Sequence, residues 1–185
     1  IRESIAGEKW HHHDAHNLYQ YTYNTTADKV IRYACDPLLE KSYYPAGCLE
    51  KDSEKDADGN EVTTFKDLNG NILLERRNLG DTYFVYDHLG QLRFILSPKY
   101  QEKGDLDSYA YQYEYDRRGN LIRKTFPGAK YIQYWYDKEG HLAYEQDSQL
   151  REQDSSFGII DKLSVSLLGN QISSISDVAE KLLYE

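Results

Sequence analysis

The chain has 185 residues, 39% of them apolar and 29% charged, with 22 lysines and arginines against 31 aspartates and glutamates for a net charge of −9. That balance is globular rather than disordered, and no apolar run approaches the ~18 residues of a membrane-spanning helix. An acidic surface with interspersed cations also lacks the clustered positive charge that phosphate backbones require, so the composition argues against nucleic acid or an anionic membrane as partner. Tyrosine is the dominant aromatic, 18 residues against five phenylalanines and two tryptophans. Its apolar ring and polar tip suit strands that are half wet. Methionine is absent, even at position 1, which reads as a piece excised from a longer chain.

In chain order, residues 1–16 read as irregular and end in a histidine cluster. Residues 17–34 read as a hairpin whose first strand is YQYTY, and residues 36–47 as a loop broken by Pro37, Pro45 and Gly47. Residues 1–47 are thus an irregular start with one hairpin. Three closely spaced turns within 48–96 predict roughly four strands. Residues 97–108 (SPKYQEKGDLDS) read as a polar insertion and the longest surface loop, 109–147 as two further hairpins, and 148–158 as another loop. The core repeats therefore occupy 48–147. The stretch 148–185 is a degenerate, truncated repeat whose end is a strand, or a helix capped by Asp177 with Glu180 at its third position. The fold class predicted is all-β: consecutive antiparallel hairpins in one extended, curved sheet.

The hairpin prediction rests on five D-x-x-G tetrads, at Asp56–Gly59, Asp67–Gly70, Asp87–Gly90, Asp116–Gly119 and Asp137–Gly140, whose starts lie 11, 20, 29 and 21 residues apart. A type I turn favours Asp at its first position, because the short side chain accepts a backbone N–H two residues on. Glycine at the fourth position takes positive φ and lets the returning strand pair through a bulge. The flanks alternate with period two, as in Tyr111, Tyr113 and Tyr115 against Gln112 and Glu114. Leu92, Leu121 and Leu142, each two residues after its glycine, are expected to face the core. Weaker copies are SLLGNQI, with Ser166 and Gly169, and YNTTADKV, with Asn24 in the Asp place and Ala27 in the Gly place.

WHHHDAH is the richest metal-ligand stretch; His11 and His13 share a face on a strand, His12 and His16 on a helix. Three ligands crowded into four residues rarely fit one tetrahedral ion, so the stretch reads as a polar segment, with His11, His13 and His16 as the weak metal candidates. Glu54, Asp56 and Asp58 occupy the first places of a calcium loop, but its twelfth place is Phe65, so no such loop is expected. NTT at 24–26 is formally a glycosylation sequon and reads as turn chemistry. Cys35 and Cys48 could close one short disulfide or remain free thiols. The tyrosines of Tyr111, Tyr113, Tyr115 and of Tyr131, Tyr134, Tyr136 either stack on sugars or pack within the sheet. G-x-S-x-G, HExxH, P-loop and GxGxxG are all missing, and neither His88 nor Cys48 has a companion for nucleophilic chemistry. No cofactor and no enzymatic activity are expected.

The repeated YDHLGQL, YDRRGNL and YDKEGHL, each followed by a strand, together with YYPAG and FPGAKY, resemble the Rhs/YD-repeat family, in particular its Bacteroidetes-type bacterial members. The resemblance spans roughly 50–147 well, and 17–34 and 163–175 weakly. It implies a segment of a large bacterial protein, secreted or on the cell surface, whose repeats spiral into a hollow β-shell, as in polymorphic toxins and in the related teneurins. In toxin members the shell encloses a C-terminal effector. The family's self-cleaving aspartyl motif is not carried over, because Asp36-Pro37 lacks the Gly-Leu that follows it there. The residues that do carry over are the Tyr-Asp pairs at 86–87, 115–116 and 136–137 and the glycines at 90, 119 and 140. The partners implied are neighbouring repeats of the full-length chain, an enclosed effector, or a carbohydrate held on tyrosine-rich faces.

Overall fold

The computed structural model describes residues 2–5, 16–35, 37–56 and 58–148. Among the described residues the protein is all-β and antiparallel, with two short α-helices, and the chain divides into a unit of residues 1–131 and a unit of residues 132–185. In the first unit, β1 (Arg2–Ile5), β2 (His16–Tyr23), β5 (Glu50–Lys55), β6 (Glu61–Lys66), β7 (Ile72–Arg77), β8 (Gly80–Tyr86), β9 (Leu92–Leu96), β10 (Ala110–Tyr115) and β11 (Leu121–Thr125) pair in that order as one meander. β12 (Tyr131–Tyr136) begins with the last residue of the first unit, and from Ile132 on it pairs with β13 (Leu142–Asp147) as the hairpin of the second. No helix among the described residues is long and apolar enough to cross a membrane.

Register explains the core. Phe65, Leu74, Tyr83, Leu96 and Ala110 stand directly opposite one another across five successive strands. All five are buried, none above 3% exposed. A slip of one residue at any strand would turn that strand's contribution to the other face, so the row fixes the pairing. Each large apolar side chain in it contributes about 2 kcal/mol by burial.

The row needs a cover, and the chain supplies it from two places, one in 31–43, which the sequence presents as the end of a hairpin and a loop, and one in 97–108, which it presents as a loop. The first is a hairpin of β3 (Ile31–Cys35) and β4 (Leu38–Tyr43), inserted between β2 and β5. Ile31, Tyr33, Cys35, Leu38 and Tyr44 pack onto the buried cluster. The expected hairpin at 17–34 is therefore corrected: Leu18–Tyr23 pairs with β5, and Ile31–Cys35 pairs with β4. Residues 36–47, read as loop, contain a strand, because Pro37, Pro45 and Gly47 flank β4 rather than interrupt it. Residues 48–96 hold five strands, one more than the turn count suggested. The start of the chain is not wholly irregular, since β1 pairs with β2 from Arg2 to Ile5.

Asn24 ties the insertion at its base. Its amide N–H donates to the Leu49 carbonyl at 2.9 Å, and its carbonyl accepts from the Gly47 N–H at 2.8 Å. Its side-chain oxygen accepts from the Leu49 N–H and its side-chain NH₂ donates to the Pro45 carbonyl, both at 2.8 Å. Residues 25–48 thus leave and return at a single satisfied point. Asn24 is 3% exposed, so the sequon is sealed in the folded chain. Nor is 24–27 a degenerate tetrad turn: Thr26–Asp28 is a 3₁₀ turn closed by a Thr25–Asp28 capping box, with Lys29 left-handed after it.

The second cover is 97–108, which forms α1 (Pro98–Lys103) and α2 (Leu106–Tyr109) instead of a surface loop. Ser97 caps α1 by accepting from the Tyr100 N–H, Pro98 fills the first turn, and Gly104 ends it left-handed. Asp105 caps α2. Tyr100 and Leu106 are the residues these helices press against the core. The approach is tight at Gly80, where a Cβ would lie 2.7 Å from the Pro98 Cβ.

Candidate functional site

The five tetrads build one kind of turn. In each, the Asp amide donates to the carbonyl four residues on, at 2.9–3.0 Å, and the Gly amide donates to the Asp carbonyl, at 3.0–3.1 Å. All five glycines have positive φ. The register shifts by one residue at the turns of Asp67, Asp87, Asp116 and Asp137, as a bulge requires. The aspartate side chain then consumes itself within the turn. Asp116 Oδ1 accepts from the amides of Arg118 and Asn120 at 2.8 and 2.9 Å, and Oδ2 from the Asn120 NH₂ at 2.9 Å. Asp67 repeats this with Asn69 and Asn71, and Asp56 with Asn60. The Asn60 side chain first, then its amide, holds Asp56 below the ordinary carboxylate range; the amides of Asn120 and His141 do the same for Asp116 and Asp137.

The residue four after each aspartate was missed in the sequence. Asn60, Asn71, Gln91, Asn120 and His141 are all amides or an imidazole, a legible signal one place beyond the glycine. Asn60, Asn71 and Asn120 return a side-chain donor to the aspartate, and His141 Nδ1 lies 3.2 Å from Asp137 Oδ2.

Gly119 (φ 89°) tests the turn. Replacing it with valine forces a β-branched residue into the left-handed region and brings the new Cβ 3.1 Å from Gln91 Nε2. The expected loss is about 2 kcal/mol, read as a lowered thermal midpoint, with Asn in its place costing much less.

At 86–87 and 115–116 the tyrosine of the Tyr-Asp pair serves packing between repeats. Tyr115 is half-buried, and its hydroxyl donates to the Leu92 carbonyl at 3.0 Å. Burial raises the pKa of Tyr86 and of Tyr115, and the aspartate of the preceding turn adds to it, Asp67 for Tyr86 and Asp87 for Tyr115. Tyr111 is 36% exposed and meets Phe126 edge-on. Tyr113 lies under the Lys124 ammonium and Tyr131 under the Arg123 guanidinium, 3.7 Å from the ring centre. In the second unit, burial raises the pKa of Tyr134, with Glu145 and Tyr136 adding to it. Tyr131, Tyr134 and Tyr136 do not form one row, since the odd separation of the first two puts them on opposite faces of a strand. Leu92 and Leu121 are half-buried, whereas Leu142 is 45% exposed and does not face a core.

His16 opens β2, while His11 and His13 lie outside the described residues, as do the C-terminal alternatives at 148–185 beyond Ser148. Among the described residues no cluster of histidine, cysteine and carboxylates is arranged to hold a metal. Cys35 and Cys48 are not joined in a disulfide.

Where the repeat meets the insertion, the surface is concave. Ile31, Tyr33 and Tyr44 from the hairpin, with Asp67, Asn69, Tyr86, Asp87 and His88 from two successive turns, line a cleft of about 240 Å³. Burial raises the pKa of Tyr44, Arg32 opposes it and Asp67 adds to it. Set against protein-family models and curated proteins, the chain matches none.

Proposed function

We propose that this chain is a structural segment of a secreted or cell-surface bacterial protein of the Rhs/YD-repeat kind, part of a β-shell able to enclose a C-terminal effector and not catalytic by itself. The observation that supports this most is the self-contained turn. At Asp56, Asp67 and Asp116 both carboxylate oxygens serve the turn's own amides and the following asparagine. Such a unit repeats without needing a ligand, and its tyrosine packs toward the previous unit. The test uses the full-length protein. Its C-terminal region should resist a protease that digests the same region expressed alone, and Gly90→Val with Gly119→Val should abolish the protection. Equal digestion with and without the repeats would defeat the proposal.

A second reading, a carbohydrate-contacting adhesion module, draws on the exposed tyrosines: Tyr111 at 36%, Tyr21 at 57% and Tyr23 at 50%. Aromatic faces in the open stack on sugar rings. A glycan array at background level would remove it.

A further inference from the structure

We infer that the cleft between the β3–β4 hairpin and the turns at Asp67 and Asp87 is a binding site for a basic side chain presented by a partner protein. Its size is the first argument. About 240 Å³ lies below the range of ordinary small-molecule pockets, roughly 300–1,000 Å³, and suits one long side chain.

Charge is the second. Asp87 has a cation nearby, Arg93 Nη1 at 3.8 Å from its Oδ2. Asp67 makes no ion pair among the described residues; its oxygens meet only the amides and side chain of its own turn. That leaves the charge of Asp67 without a cation in a cleft also lined by Tyr44 and Tyr86, and a carboxylate beside aromatic rings attracts a guanidinium or ammonium.

The equivalent position of the next repeat differs. Tyr115 occupies the same motif place as Tyr86, but its hydroxyl is tied to the Leu92 carbonyl. Tyr86 and Tyr44 both line the cleft, and neither hydroxyl makes a hydrogen bond among the described residues. The inserted hairpin therefore converts one turn, alike in sequence to the others, into a recess that sets the unpaired charge of Asp67 beside two tyrosines. The proposal stands whether or not the repeats enclose an effector. Arg32, which is exposed and acts on Tyr44 from β3, is the cation that would compete.

The probe is Nα-acetyl-arginine amide, followed by NMR on the Tyr44 and Tyr86 rings and the Asn69 and Asn71 side-chain amides. A ligand of this size should bind with a dissociation constant on the order of 1 mM at low salt. The citrulline derivative, equal in shape and uncharged, should bind at least about tenfold more weakly. The lysine derivative tells whether the planar fork matters: weaker binding assigns the site to arginine, equal binding to any cation. Asp67→Asn keeps a favoured first turn residue and removes the charge, so it should weaken binding about tenfold with little change in melting temperature. Tyr86→Phe, which leaves the turn untouched, should weaken it severalfold, and Arg32→Gln should strengthen it. No saturable shift at these residues, citrulline binding as well as arginine, or unchanged affinity in both Asp67→Asn and Tyr86→Phe would overturn the assignment.

Discussion

Phe65→Ala is expected to cost about 3–5 kcal/mol of stability, seen as a lowered urea midpoint. Phe65 is fully buried at the junction of everything that holds the first unit together. Leu74 stands opposite it in the register row, and Thr63, two places along the same strand, is buried on the same face. The ring also lies under two cations, Lys51 Nζ at 5.5 Å and Arg76 Cζ at 5.6 Å from its centre. Truncation therefore removes the transfer energy of the ring, leaves a cavity that paired strands cannot easily collapse, and takes the aromatic face from Lys51 and Arg76. Phe65→Leu separates these terms: it refills most of the volume without a π face and should cost about 1–2 kcal/mol. A loss below about 1 kcal/mol for the alanine variant would mean that the row across β6 to β10 is not the core of this sheet.

The sequence makes the repeats plain and hides their cover, for one physical reason. A D-x-x-G turn is decided locally, by an aspartate that caps its own backbone and a glycine that accepts positive φ, so Asp67, Asp87, Asp116 and Asp137 mark their hairpins without help. The β3–β4 hairpin is decided at long range. Its inward side chains, Ile31, Tyr33 and Leu38, gain their burial from β8 and its neighbours, and Tyr33 packs edge-on against Tyr83, fifty residues away in the chain, at 5.2 Å. Between Pro37 and Pro45 there is no alternation strong enough to reveal that. The helices at 98–109 stand between these cases. Ser97-Pro98 and Gly104-Asp105 are cap residues at the right spacing, but the charged composition around them reads as solvent-exposed loop. The cleft was illegible for the same reason as the hairpin: Tyr44 and Asp67 come together only when the insertion folds back over the repeats. Among the tyrosines, parity along the strand separates the face of Tyr131 from that of Tyr134, which a count of aromatics cannot show.

Asp28→Ala should cost about 2–3 kcal/mol, because this carboxylate anchors the insertion to the sheet beneath it. Asp28 is 9% exposed. Its Oδ1 accepts from Lys51 Nζ at 2.6 Å, and its Oδ2 accepts from the Thr25 amide at 2.6 Å and hydroxyl at 2.8 Å. Its carbonyl accepts from Arg76 Nη1 at 3.0 Å, and Arg76 in turn forks onto Asp81 at 2.9 and 2.7 Å. Removing the carboxylate strands the Lys51 ammonium, which is 24% exposed, so water relieves part of the penalty that a fully buried partner would incur. Burial pushes the Asp28 carboxyl up, but Lys51 and the two Thr25 donors outweigh it and hold the group below the ordinary aspartate value. A carboxyl with a depressed folded pKa contributes stability that is present above its unfolded value, about 4, and is lost as the pH falls through the folded value. Asp56, Asp116 and Asp137 weaken the wild type in the same direction on acidification, so the informative quantity is the difference between wild type and Asp28→Asn. That difference should be full at pH 7 and shrink steadily below pH 4. A gap that stays constant down to pH 2 would show that the Asp28 charge does not hold the hairpin, and that Asn24 and the apolar contacts of Ile31 and Tyr33 hold it alone.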